Sequence, residues 1–202
     1  ELAEYCKSKK IKSIGLSDSY NLCGALEFSE KISKVGTQPI IGTQINFKYG
    51  DCIGLLPLFA LNEEGYKRII KLSSNSFLEN DELSDPHVDF NDLLDDNTGV
   101  AIFSGTIFGL FGELFNKGKF SEISELYKKL KLNFGDRFYI EIQRTGVKRD
   151  LIAEPMLIEL AYKLNQHSYP KYAQEKSHLI FNKHSHYTLI SYLKHKNRRI
   201  NY

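Results

Sequence analysis

The sequence predicts an α/β fold with a parallel sheet, either open or closed into a barrel. Three observations predict it. Short apolar runs alternate with segments of helical periodicity through residues 1–165, the order that parallel sheets produce. Most of the helical segments carry a single apolar stripe, as helices that cover a sheet do. The composition, 42% hydrophobic and 26% charged over 202 residues, supplies enough apolar surface for one large domain.

The elements follow in order. "ELAEYCKSKK" reads as the later part of a helix, and the absence of an initiating Met suggests a fragment of a longer protein. Residues 11–17 make a short strand. Asn21 is the expected N-cap of a helix over about 22–34, with Leu22, Ala25, Leu26, Ser29 and Ile32 on one face and Gly36 ending it. Residues 39–47 form a second strand. Residues 53–61 form a third, where Pro57 marks an edge or a bulge. Asn62 then caps a helix whose Glu63 and Glu64 suit its N-terminal dipole, with Tyr66, Ile69, Ile70 and Ser73 as the stripe. A fourth strand covers 99–105, and two helices follow, the second with Ile123, Leu126, Tyr127 and Leu130 on one side. In the fifth strand, 137–143, Phe138, Ile140 and Ile142 alternate with Tyr139 and Glu141. A last helix spans 150–165, with Pro155 expected in its first turn or two.

Charge divides the chain. Residues 1–165 hold 20 Lys/Arg against 24 Asp/Glu, whereas 166–202 hold 7 Lys/Arg against Glu175 alone, together with five of the six histidines. Such a shift marks 166–202 as discontinuous with the domain before it. The longest apolar run, residues 52–61, is half the ~20 residues a membrane span needs. Three cysteines without CxxC spacing suggest neither a disulfide framework nor a zinc ribbon. No phosphate-binding GxxxxGK[ST] loop, GxGxxG turn or GxSxG elbow occurs. The chain reads as cytoplasmic.

In a parallel sheet, chemistry belongs at the carboxyl ends of the strands. Those ends offer Asp18, Gln44, Ser104 and Gln143–Thr145. Asp18 is the only strong metal ligand among them, and one carboxylate cannot assemble a multi-metal hydrolytic centre. Its plainer reading is a turn or helix-start residue. The acid-rich stretch 79–96 has no calcium-loop spacing and reads as a solvated loop with a helical turn at "FNDLL". His184 and His186, with His178 and His195 nearby, could bind metal, but no carboxylate or Cys completes a site, so a basic solvated tail is preferred. Lys194, Lys196, Arg198 and Arg199 among tyrosines also allow a nucleic-acid reading.

"GLSDSYNLCGALEF" followed by "GTQPIIGTQINF" resembles the PHP (polymerase and histidinol phosphatase) domain of bacterial DNA polymerase III alpha subunits. In that family a strand ends in Thr/Ala-Asp, Asn-Leu/Met-x-Gly opens a helix, and Lys-Pro-Ile-x-Gly opens the next strand. "LFALNEEGYKRIIKLSS" and "GDRFYIEIQRTG" resemble two later family segments, in the right order, so that the likeness spans residues 11–146. It implies an incomplete seven-stranded (βα) PHP barrel of parallel strands alternating with helices. Residues 1–165 would be a partial PHP domain, its first strand (with an HxH ligand pair) and its last strands lying outside. Residues 166–202 would be a divergent or frame-shifted tail.

The resemblance also implies what the rim lacks. Metal-binding members carry His after the motif Asp, Glu two residues after the Gly of Pro-Ile-x-Gly, and His after Gln-x. Beside Asp18, those positions here are Ser19, Gln44 and Thr145. The expectation is a degenerate, metal-free site with no catalytic residue and no cofactor in this segment. The barrel would then serve as a scaffold docking the proofreading exonuclease and meeting other replicase subunits. DNA contact and magnesium would belong to the parent polymerase, and no membrane is involved. Two rivals are an active PHP-type phosphoesterase or exonuclease, and a small nucleic-acid-binding protein acting through the tail.

Overall fold

The computed structural model describes residues 1–80, 84–143, 148–166, 179–182 and 187–188. Helix α1 (Leu2–Ser8) leads into β1 (Ser13–Ser19), and α2 (Ala25–Ser33) crosses over to β2 (Gln38–Tyr49). The two strands pair in parallel, from Ser13 opposite Gln38 to Ser19 opposite Gln44. Strand β3 (Cys52–Ala60) returns after the two-residue turn at Gly50 and Asp51, and runs antiparallel to β2. Helix α3 (Glu63–Leu78), the short strand β4 (Val88–Asp89) and α4 (Phe90–Asp95) follow. Strand β5 (Val100–Phe103) precedes α5 (Leu110–Asn116) and α6 (Phe120–Phe134), and β6 (Phe138–Gln143) precedes α7 (Lys148–Gln166). Two short strands, β7 (Leu179–Asn182) and β8 (Tyr187–Thr188), pair with β6 and β1.

The path through the sheet is β7-β6-β5-β3-β2-β1-β8, with β4 beside β2. The expected parallel pairing holds for β1–β2 and β5–β6, and β7, in the stretch read from the sequence as a solvated tail, adds a parallel pair with β6 that was not expected. Strand β3 is the exception, antiparallel to both β2 and β5, because a two-residue turn can join only antiparallel neighbours. Pro57 is therefore inside a central strand, not at an edge. It lies beyond the three residues Leu58–Ala60 that pair with β5, so that on this side its missing N–H costs no ladder bond. The bulge or edge expected at Pro57 gives way to this local gap.

Helices cover one face of the sheet. Ile14, Leu16 and Ile41 pack there with Ala25, Phe28 and Ile32 of α2. Ile45, Phe47, Leu56, Leu58, Ile102, Phe138 and Ile140 pack with α3, α5, α6 and α7. The other, inner face of this curled half-barrel holds a smaller cluster of Ile40, Phe59, Ala101, Phe103 and Tyr139.

Some local expectations are corrected. Asn21 does not cap α2, which starts at Ala25 after Gly24. Its side chain is spent on a turn, accepting from Cys23 N at 3.0 Å and donating to Ser19 O at 2.9 Å. The later start rotates the stripe, so that Phe28 is buried and Leu26 exposed. Asn62 does cap α3, accepting from Gly65 N at 2.8 Å. Leu72 and Ser76 join Ile69 on its buried face in place of Ile70. Helix α7 starts at Lys148, which puts Pro155 beyond its second turn. Arg137 donates to Asn97 O, Val100 O and Asn97 Oδ1, tying the start of β6 to the start of β5.

Tyr127 of α6 packs edge-on against Phe138, and its hydroxyl is buried with no hydrogen-bond partner. Burial pushes this phenol well above its ordinary range. The unfolded phenol ionises near 10, so the stability that Tyr127 contributes is present below pH 10 and lost as pH rises further. Tyr127→Phe is expected to stabilise the protein at pH 7 by about 1 kcal/mol, since it removes an unpaired buried hydroxyl. It should also flatten the alkaline loss. Urea unfolding between pH 7 and 11 checks both effects, and an unchanged alkaline slope would count against this origin.

Candidate functional site

The carboxyl end of β1 lies beside the middle of β2, which runs on to Tyr49, so Gln44 is inside its strand and not at the expected end. The register still brings two of the sequence-singled positions together. Ser19 and Gln44 are direct partners in the parallel register. Alternation along β1 sends Ser17 and Ser19 to the inner face, opposite Ile14, Leu16 and Asp18. Along β2, Ile40, Gly42, Gln44 and Asn46 share that inner face. Gln44 uses its amide nitrogen on Ser17 O at 3.1 Å, so its carbonyl oxygen is the end left for other contacts.

Asp18 points elsewhere. It shares the helix-facing side of β1 with Leu16, and a side chain added at Gly24 would meet both Asp18 Oδ2 and Leu16 Cδ2. Its carboxylate therefore sits at the start of α2, where the first-turn amide groups favour negative charge. Its backbone carbonyl accepts from Thr43 Oγ1 at 2.7 Å. This is the turn and helix-start role, one residue and one face away from Ser19.

Ser104 is fully buried and joins two strand ends. Its amide donates to Tyr139 O at 2.9 Å, and its hydroxyl accepts from Glu141 N at 3.0 Å. It is a stitch between β5 and β6. Thr145, with the rest of 144–147, lies outside the described residues, as do His178, His184, His186 and His195.

Four residues that sequence reasoning did not single out lie on or beside the inner face of the sheet. Ser17 is 6% exposed, and its hydroxyl has no partner. Glu141, 3% exposed, occupies the inner side of β6. Asn46 Nδ2 donates to the Tyr20 hydroxyl at 3.0 Å. Tyr20 takes a left-handed backbone (φ +66°), uncommon for a bulky side chain. Burial is the main cause pushing its phenol pKa up, the Asn46 bond opposes the shift, and the negative charge of Asp85 adds to it. The period-2 pattern of β2 could have placed Asn46 beside Gln44. No sequence signal announces the backbone of Tyr20.

A divalent ion with hydrolytic work to do needs carboxylates or imidazoles aimed at one point. The Ser19–Gln44 pair offers a hydroxyl and a neutral amide, while the nearby carboxylate of Asp18 serves the opposite face. These residues do not fit a metal. Among the described residues, no group of three or more His, Cys, Asp or Glu side chains converges. No described helix is long and apolar enough to cross a membrane.

Comparison with known proteins places these observations in a family. The PHP domain family matches residues 1–145. The DNA polymerase III subunit alpha of Caulobacter vibrioides is 35% identical over 175 residues, which cover 80% of this chain and 15% of that protein. The same subunit of Rickettsia felis is 34% identical over 81% of this chain and 14% of its own length. The chain thus spans about 15% of the curated relatives it matches. A crystal structure from Bifidobacterium adolescentis, described as a metal-dependent phosphoesterase, aligns with a TM-score of 0.39 and 12% identity. That alignment covers 89% of this chain and 79% of the other, and the likeness is too distant to bear on the site.

Proposed function

The chain belongs to the PHP domain family, and from that premise we propose that it is a segment of a replicative DNA polymerase III alpha subunit. Its PHP barrel is a metal-free, non-catalytic scaffold. The identity to alpha subunits from several bacteria supports the parent assignment. The observation that carries the scaffold reading is the register-matched pair Ser19–Gln44. The end of β1 and the β2 residue opposite it present neutral groups together, and the carboxylate next to them in β1, Asp18, faces α2. Template-directed DNA synthesis, with magnesium and DNA, belongs to other parts of the parent polymerase in the cytoplasm. This barrel docks the proofreading exonuclease subunit within the replicase. Residues 166–202 are a divergent or frame-shifted ending, and translating the coding DNA in the other two frames tests that. A family-like strand in one of them is the expected finding.

Metal analysis of the purified chain tests the scaffold reading. The expected result is zinc and manganese well below one ion per chain, with a melting temperature unchanged by a chelator. Stoichiometric metal lost on Asp18→Ala would overturn the reading in favour of a PHP-type hydrolase. For the docking role, titration with the exonuclease subunit of the same organism should give a saturable 1:1 complex, and no binding would remove that part of the proposal.

A further inference from the structure

Tyr20 makes three hydrogen bonds that reach two other elements. Its amide donates to Gln44 O at 2.8 Å, continuing the β1–β2 pairing one residue past the end of β1. Its carbonyl accepts from Ser73 Oγ of α3 at 2.9 Å. Its hydroxyl accepts from Asn46 Nδ2 at 3.0 Å, on the inner face of β2 just beyond Gln44. Asn46 is 8% exposed, so this bond is made largely out of water.

The left-handed backbone makes the three bonds compatible. An extended residue at position 20 would carry the chain straight on and turn the carbonyl away from α3. The reversed φ lets the carbonyl face Ser73 while the phenol folds back over β2. Bulky side chains keep this conformation only where the surroundings over-determine it, as they do here.

We infer that Tyr20 is a built-in latch, fastening the carboxyl end of β1 to β2 and α3 and lying over the inner face beside Ser19 and Gln44. The inference rests on the metal-free reading of the rim, for which it supplies the cause of order: hydrogen bonds of Tyr20 hold the end of β1 against β2 and α3.

Amide hydrogen exchange on the full chain tests the latch. Tyr20→Phe and Asn46→Ala are each expected to speed exchange at the residue-20 amide about fivefold, the effect of losing one hydrogen bond, and to leave Ile140 and Ile142 of β6 unchanged. The double variant should exchange no faster than either single variant, because both remove the same bond. Ser73→Ala, which cuts the third tie, made from within α3, should loosen the same amide independently. Tyr20→Gly relieves the backbone but forfeits the phenol, and should open the rim further than Tyr20→Phe. Wild-type protection in Tyr20→Gly, or additive effects in the double variant, would overturn the latch. Zinc or manganese protecting the wild-type rim would instead overturn the metal-free reading, an outcome separate from the behaviour of these variants.

Discussion

Phe103→Ala is expected to cost about 3–5 kcal/mol, the largest effect of any single truncation on the inner face. Phe103 is fully buried at the centre of the five-residue inner cluster. Its ring lies 4.8 Å from that of Phe59 and 5.3 Å from that of Tyr139, so one truncation removes both aromatic contacts. The cluster is small and lies between strands whose positions are fixed by their ladders. Little can collapse into the space, and cavity terms add to the lost burial. Against a typical domain stability of about 5–15 kcal/mol, such a loss leaves the fold marginal. Phe103→Leu should cost roughly 1–1.5 kcal/mol. Urea midpoints at constant slope measure both, and a loss below about 1 kcal/mol for Phe103→Ala would mean the inner face is not packed in this way.

Gly65→Ala is expected to destabilise by about 3 kcal/mol, although alanine is the better helix former by about 1 kcal/mol. Gly65 lies in the first turn of α3, and a methyl there would overlap the carbonyl of Gly99 outright. That carbonyl cannot retreat freely, because it accepts from Leu61 N at 2.8 Å. Gly99 itself has φ +70°, and Asn62 Oδ1 crowds the space where its side chain would be. The steric term therefore exceeds the propensity gain. Alanine at the exposed Glu64, one residue earlier, should change stability by well under 1 kcal/mol. Thermal melts of the two variants decide the matter, and equal behaviour would show that α3 can shift away from the Gly99 turn.

The fold was legible where period and capping chemistry agree. The apolar alternation of β6 and the Asn62 cap with its acidic first turn appear in the structure as the residues predict. Ser19 is the end of its strand as read, whereas Gln44, also read as an end, lies inside β2, and the register still puts the two opposite each other. Direction was the harder quantity. Residues 53–61 look the same in either orientation, because a central strand buried on both faces carries no sign of its polarity. Only the two-residue gap at Gly50–Asp51 holds that information. Asn21 misled for a different reason: its side chain can serve a turn as readily as a helix, and the choice depends on where Gly24 lets the helix begin. The backbone of Tyr20 was beyond reach, since it is imposed by Ser73 and Asn46, each many residues away.

The reversed strand β3 also alters the entropy of assembling the sheet. Joining β2 to β3 closes a loop of only Gly50 and Asp51, whereas bringing β5 to β6 requires ordering residues 104–137 between them. With closure entropy growing as the logarithm of loop length, the second step costs about 2.5 kcal/mol more chain entropy than the first. One long hairpin, from Gly42–Phe59 to Tyr49–Cys52, thus comes at low entropic cost in the middle of a sheet otherwise made of distant pairings. The same turn is clasped from outside by Lys119, which bridges Asp51 and Glu122. The centre of the sheet is therefore its most local part in sequence, and the strands on either side of it have the larger loops to close.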